Sequence, residues 1–446
     1  MPAPTVTQIA KQLNKALGAA QLESEARRTG FERRTSRVIE PVMFLCSLLH
    51  TLGTRRVQSL ADLHRDFNAD HGTTVNYKPY YKRLDTPGFP ELMQSVFERL
   101  MSSLYAEVLA PLKASALGRF DDIVLHDGTS FALHEGLIRA FPGRFTAVSP
   151  AAVELHVTMS LFHDNVTSVT MTPDSECERH HAPEPEELRG KLLMADRGYD
   201  GRPYMAAIDE HGGHFVIRVR DQLDPIVARI HRRGSRYRKL EGKRLRSVLR
   251  AVPKGKVLDM DVQWPTKDGD VEYSFRLVAK YNGRDNGWMR LMTNLSRDEF
   301  GASSILGTYR LRWQIELYFK ELKSYANLHA FCTRKPNIAE GMFWASLCVA
   351  FLKRYLAHAC QQVSGVAIST RRVAMCSHVF LASFFDSMRN GFAELRHVLA
   401  DAFRFLASNA RRSNPKRERK RGRLSSGLEP VLLGPGFRGA KSRALK

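Results

Sequence analysis

Helical periodicity runs through the first 118 residues, gives way at about residue 120 to strand patterns broken only by short helical stretches, nearly vanishes from 221 to about 300 and returns from Ala302. Between those points the apolar residues come in short runs or in alternation, the two patterns that strands produce. A chain with helices at both ends and strands between them has to bury a sheet against helices, so the expected class is α/β. Five segments follow from the pattern: a helical region 1–118, a core made of 119–220 and 301–335, a β-rich insertion 221–300, a second helical region 336–410, and a tail 411–446.

The first region holds an apolar helix at Ile39–Leu52 and an amphipathic one at Ser59–Phe67, with Ser59 as candidate cap. After a Gly-Thr-Thr turn comes the basic, aromatic segment Val75–Leu84. Helix, turn and basic segment have the form of a helix-turn-helix DNA reader, and equally that of a helical bundle with a basic face. Gln94–Leu109 reads as another amphipathic helix. In the core, strands are expected at Asp122–Asp127, Val153–Phe162, Val166–Met171, Lys191–Asp196 and His214–Arg220. Short helices are expected near Glu184–Arg189 and Pro203–Glu210. The insertion is read as strands at Val257–Val262, Tyr273–Val278 and Met289–Thr293, forming a unit of its own. An apolar helix covers 340–359, and the tail, dense in Arg and Lys among Pro, Gly and Ser, is expected to be disordered.

Charge narrows the partner. The 446 residues carry a formal net charge of +22, which calls for a polyanion, and nucleic acid fits better than a membrane. The longest apolar run, Met342–Leu352, is too short to span a bilayer and is followed by Lys353 and Arg354. The six cysteines form no CxxC pair, which argues against both a disulfide framework and a zinc finger. Asp174–His181 is rich in metal-ligand residue types, but no second cluster completes a zinc site. No apolar signal core occupies Met1–Ala20, so the expected location is cytoplasmic, with the nucleoid.

Chemistry concentrates in Tyr309–Lys323. On an α-helix Tyr309, Arg312, Glu316 and Lys323 fall within roughly a 60° arc. One stripe thus carries a phenol, a guanidinium, a carboxylate and an ammonium. Upstream, Asp127 and Asp196 each stand where an apolar strand meets a turn. Two strands that deliver aspartates at one sheet edge, with Glu316 from a helix packed across it, assemble three hard oxygen ligands suited to Mg²⁺ or Mn²⁺. Singly, each acid has an ordinary alternative: Asp127 capping its turn, Asp196 pairing with Arg197 or Lys191, Glu316 pairing with Lys320. Glu321 points about 140° away from Glu316. His126 and His134 flank the first aspartate as hydrogen-bonding neighbours.

Asp127-Gly-Thr, Asp196-Arg-Gly-Tyr199 and the Tyr309, Arg312, Glu316, Lys323 signature, in that order and with a β-rich insertion before the glutamate, resemble the DDE transposases of bacterial insertion sequences, specifically the insertion-sequence-four-like group. The resemblance covers about residues 120–335. It implies a ribonuclease-H-like mixed-sheet catalytic core with Asp127, Asp196 and Glu316 as catalytic metal ligands for two Mg²⁺ or Mn²⁺ ions. It further implies that Tyr309, Arg312 and Lys323 contact DNA phosphates. Trp288, late in the insertion, is either a base-stacking residue or part of the insertion's own core. Trp313, adjacent to Arg312, is read as a helix-packing residue, with stacking on DNA as the alternative. The implied activity is cleavage at transposon ends and joining of the 3′-hydroxyls to target DNA, by a homodimer on double-stranded DNA, with the helical segment after 340 as candidate dimer interface. A non-catalytic end-binding regulator and a ribonuclease-H-like nuclease without strand transfer are the alternatives.

Overall fold

The computed structural model describes residues 3–33, 38–231, 235–266, 268, 270–283, 287–328, 333–412 and 428–431. Its centre is a nine-stranded mixed sheet. The strands are β1 (Ile123–Ala132), β2 (Ala152–Ser160), β3 (Asn165–Pro173), β4 (Leu192–Ala195), β5 (His214–Arg218), β6 (Ile226–Ile230), β7 (Val257–Pro265), β8 (Val271–Asn282) and β9 (Gly287–Thr293). In space they lie in the order β3-β2-β1-β4-β5-β9-β8-β7-β6. β1 to β3 form an antiparallel meander, while β4 and β5 run parallel to β1. This is the mixed sheet expected of the ribonuclease-H-like core that the resemblance implies.

Two expectations about the sheet change. β1 does not end at Asp127 but continues five residues further to Ala132, because β2 keeps pairing with it as far as Ala132↔Ala152. The insertion strands do not make a separate sheet. β9 pairs antiparallel with β5, with Met292 opposite Ile217, so 257–293 extends the core sheet edge-on. This part also contains strand β6 and a seven-residue helix, Leu245–Ala251, which the apolar pattern did not reveal. Both are short elements whose buried residues (Val227, Leu245, Val248) matter only once β7 lies beside them.

The terminal helices pack as one body. From the N-terminal side come Val6–Leu17, Ala19–Arg28, Pro41–Thr54, Leu60–His71, Tyr77–Leu84 and Gly88–Ser103; from the C-terminal side come Pro336–Ser364, Thr370–Cys376, Leu381–Asn390 and Phe392–Asn409. The Phe97 ring lies 5.6 Å from Trp344 and 6.0 Å from Phe351, and the Tyr355 hydroxyl donates to Gln12 at 2.7 Å. Helix Pro336–Ser364 is buried on every side over most of its length, so other helices must surround it. Within the segment after 340 named as candidate dimer interface, this helix is thus enclosed by the chain's own helices. Gly341 on that helix touches the buried ring of Phe89; an added Cβ would sit 2.3 Å from its carbons. Gly341→Ala is expected to destabilise by about 1–3 kcal/mol through overpacking, read as a lower urea midpoint with secondary structure retained.

Local capping follows the sequence. Ser59 precedes Leu60–His71, where Asp62 accepts from the backbone N–H groups of Gln58 and Ser59 at 3.0 and 2.8 Å. That helix ends at Gly72, whose φ of 59° suits glycine. Asn68 then holds the turn, accepting from Thr73 Oγ1 and Val75 N and donating to the Val75 carbonyl. This delivers helix Tyr77–Leu84 with Tyr77, Lys78 and Lys82 outward. The expected disordered tail lies largely outside the described residues. Within it, Leu428–Pro430 pairs antiparallel with Leu109–Pro111.

Candidate active site

The register of β1 and β4 decides where the two aspartates go. Their parallel pairing puts His126 beside Ala195, so the next residues, Asp127 and Asp196, stand side by side where the pairing stops. Alternation along a strand places Asp127 on the face of Ile123 and Leu125, and Asp196 on the face of Leu192 and Met194. That face packs on the helical body. Across it lies helix Trp313–Tyr325, which carries Glu316 in its first turn.

The stripe is not one regular helix. Ala302–Tyr309 is followed by a 3-10 turn, Arg310–Arg312, before Trp313–Tyr325. In a 3-10 turn, side chains three residues apart eclipse one another, so the guanidinium of Arg312 lies 5.7 Å from the ring centroid of Tyr309. Both then reach the acids. Arg312 donates from Nη1 to Asp127 Oδ2 at 2.8 Å and from Nη2 to Glu316 Oε1 at 2.5 Å. The Tyr309 hydroxyl donates to Asp196 Oδ1 at 3.3 Å, and Arg218 Nη1 stands 3.9 Å from the same oxygen. Of the ordinary alternatives only the local one at Asp127 is present, its Oδ1 accepting from the Gly128 N–H at 3.0 Å; Asp196 does not take Arg197 or Lys191, and Lys320 sits over the Trp313 ring at 4.4 Å instead of against Glu316. Among the described residues no three His, Cys, Asp or Glu side chains converge closely enough to share one ion. Arg312 lies between two of the acids.

Burial pushes the Asp127 carboxyl up to about 6, against the pull of Arg312 and the Gly128 N–H, with Asp196 and Glu316 raising it further. Burial works against the charge of Arg312 too, yet Tyr309, Asp127, Asp196 and Glu316 hold that charge firmly in place. The three acids therefore share one electrostatic field. Their hard oxygen donors are of the type a magnesium-like divalent cation takes, with Arg312 standing between Asp127 and Glu316 as they lie.

Lys323 reaches back over the Phe131 ring at 5.3 Å. Glu321 faces away from the site, as its angle requires, and binds Arg354 and Thr370. Trp313 is 48% exposed, so it is not the helix-packing residue expected. Trp288 is half-buried, edge-on to Tyr281, against a core that the insertion shares with β4 and β5. Trp264, also half-buried, stands elsewhere. It lines a cleft of about 400 Å³ together with Arg179, Asp200, Arg202 and Arg220, next to the second aspartate's turn.

That turn is braced by a residue whose neighbours the sequence did not reveal. Asp200 is buried and accepts from the Arg220 backbone N–H and Nε, each at 2.9 Å, and from Arg179 Nη2 at 3.1 Å. On the far side of β1, His126 bonds Thr158 and stacks edge-on against Tyr199; burial takes its pKa down to about 3, so the ring is neutral. His134 accepts from the Gly136 N–H at the start of a 3-10 turn. Glu154, one strand away, is almost wholly buried, and burial with the neighbouring Glu178 pushes it up to about 7 despite Arg144.

A family model for the transposase DDE domain matches residues 118–352, just over half the chain. The chain belongs to that family. The matched region holds all nine strands and the glutamate helix. The chain is 29% identical over 259 residues to the putative transposase InsL for insertion sequence element IS186A of Escherichia coli strain K12, a match covering 50% of this chain and 65% of that protein. The transposase for insertion sequence element IS421 of Escherichia coli matches to the same extent. The probable transposase for insertion sequence element IS5377 of Geobacillus stearothermophilus is 27% identical over 223 residues, covering 49% of this chain and 53% of that one. The match thus spans a little under two thirds of the first two relatives' length. Among solved structures, a chain of the piggyBac transposase synaptic complex with hairpin DNA aligns at TM-score 0.47 and 11% identity, over 91% of this chain and 86% of that one. No helix among the described residues is long and apolar enough to cross a membrane.

Proposed function

We propose that this chain is a DNA transposase that binds the terminal repeats of its element, cleaves the DNA there, and joins the freed 3′-hydroxyls to target DNA. The observation that carries the reading is the β1–β4 register, which sets Asp127 beside Asp196 under the helix that bears Glu316. Family membership and the excess of positive charge support it.

In this reading Asp127, Asp196 and Glu316 would hold two Mg²⁺ or Mn²⁺ ions. Bound there, the ions would supply Lewis-acid activation of an attacking oxygen and stabilise the leaving one. The chain's own cations would do the rest. Arg312, a planar fork already dehydrated at the site, would exchange its carboxylate partners for a phosphate of the bound end. Tyr309 would orient Asp196, and Lys323 would contact a neighbouring phosphate. Trp288 keeps a stacking role only if the insertion opens around it. Helix Tyr77–Leu84 would meet the DNA end with Tyr77, Lys78 and Lys82. Two ends must be held together, which a homodimer on DNA would do. Its interface would lie outside the buried helix Pro336–Ser364.

The test is incubation of the protein with the element's flanking repeats, Mg²⁺ and a supercoiled target. Excised element joined to target is the expected product. Binding without cleavage would leave only an end-binding regulator, and cleavage without joining only a nuclease. The pH dependence has a definite sign. Asp127 ionises near 6 instead of 3.8, so protons compete for it over a range where an ordinary aspartate is fully ionised. Mn²⁺ affinity, measured calorimetrically, is expected to fall about tenfold between pH 7 and pH 5.

A further inference from the structure

Each aspartate motif contains a glycine, and both glycines are occupied by something else. A Cβ on Gly128 would lie 2.7 Å from Glu154 Oε1, and a Cβ on Gly198 would lie 2.6 Å from Glu178 Oε2. The missing side chains leave room for two carboxylates, one resting on each motif. Normally the tip of a glutamate swings aside at little cost. Here it is held. Arg144 donates from Nη2 to Glu154 Oε2 at 2.9 Å and from Nη1 to Glu178 Oε1 at 3.0 Å.

Arg144 itself is fixed from behind. Its Nε donates to the Asp174 carbonyl at 3.2 Å and its backbone N–H to Asp174 Oδ2 at 3.0 Å. Asp174 is buried and also accepts from the Ser130 hydroxyl, on the same strand as Asp127. A closed chain of contacts therefore runs from Gly128 through Glu154, Arg144 and Glu178 to Gly198. It spans the two backbone segments that carry Asp127 and Asp196. Strand pairing between them ends at His126 and Ala195, so beyond that point backbone hydrogen bonds no longer fix their spacing.

We infer that Arg144 is a positioning residue that sets the separation of Asp127 and Asp196 by clamping Glu154 against Gly128 and Glu178 against Gly198. This rests on the metal-site reading above. Two carboxylates can share ions only within a narrow range of separation, and second-layer contacts that hold ligands in place commonly govern metal affinity by 10–100-fold. The planar fork matters because its two nitrogens address two carboxylates at once, which a single ammonium cannot do in the same geometry.

The experiment is Mn²⁺ binding to the full-length protein without DNA, followed by calorimetry and by the electron paramagnetic resonance of the bound ion. Asp127→Ala serves as the control that assigns binding to the site. Arg144→Ala and Arg144→Lys are each expected to weaken Mn²⁺ at least about tenfold and broaden the bound-ion spectrum. Glu178→Gln is expected to act in the same direction. Combined with Arg144→Ala it should add little further, because both cut one chain of contacts. Glu178 is partly exposed, so its variant reports even if Arg144→Ala does not fold. Wild-type affinity and spectrum in Arg144→Lys and Glu178→Gln, with binding lost in Asp127→Ala, would overturn the inference and leave the metal site standing. Equal binding by wild type and Asp127→Ala would remove the metal-site reading itself, and the inference with it.

Discussion

Replacing Asp127, Asp196 or Glu316 by alanine is expected to reduce end cleavage on the order of 10³-fold or more, as loss of a charge-stabilising group from an active site does, while leaving affinity for the DNA end nearly intact. The separation of effects follows from where the charges lie. The acids face one another across the sheet edge, whereas Tyr77, Lys78 and Lys82 project from a different part of the molecule. Glu316→Gln makes the sharpest comparison with Glu321→Gln. Both sit on helix Trp313–Tyr325, five residues apart, but Glu316 meets Arg312 and Glu321 meets Arg354 and Thr370. The first should lose cleavage and keep stability; the second should lose stability with its chemistry intact in whatever remains folded. Gel-shift and cleavage assays on the same preparations check this. Retained cleavage in any one of the three alanine variants would remove that acid from the site.

The second large effect concerns stability. Arg354→Ala is expected to destabilise the protein by about 3–5 kcal/mol, the usual result of removing one partner from a buried ion pair. Arg354 is buried and donates from Nη2 to Asp164 Oδ1 at 2.8 Å and from Nη1 to Glu321 Oε2 at 2.6 Å, with the Tyr318 ring beneath it. Asp164 sits in the β2–β3 turn with φ of 49°, a left-handed conformation that aspartate tolerates, and is fully buried. Without Arg354 that carboxylate loses its guanidinium partner inside the protein, where the His358 imidazole stands 3.7 Å away. The penalty is therefore mainly an uncompensated charge, and Asp164→Asn combined with Arg354→Met should recover much of the loss. Urea denaturation of the single and double variants measures it; additive losses would contradict the explanation. The same network joins three parts of the chain, since Asp164 belongs to the turn between β2 and β3, Glu321 to the glutamate helix and Arg354 to the long central helix. It anchors Glu316's helix from the side opposite the acids.

Much of the site was legible because its signals are local. An apolar run followed by Asp-Gly, another followed by Asp-Arg-Gly-Tyr, and a spacing of three, four and seven residues each read out a face or an end of one element. The angle that turns Glu321 away from Glu316 was equally legible. What was misread belongs to contacts between elements. Asp127 lies within β1 because β2 extends the pairing past it. The β-rich insertion joins the core sheet because β9 finds the free edge of β5, and an unpaired strand edge is filled by whatever can reach it. Trp313 is exposed and helix Pro336–Ser364 enclosed, although the apolar content of both invited other readings. Arg144, Glu154 and Arg354 carried no local pattern at all: Glu154 and Arg354 are buried charges recognised only by their partners, and Arg144 is exposed yet acts through the two carboxylates it bridges.

The amino-acid sequence by itself determined the order of elements, the three acids and the helix face that presents the last of them, because those depend on periodicities of two and 3.6 residues. Only the tertiary structure decided how the acids stand to one another. The β1–β4 register relates segments more than sixty residues apart, Ile123 opposite Leu192, and the arginine held between Asp127 and Glu316 reaches the first of them across 185 residues. No pattern within either segment encodes the distance across the gap.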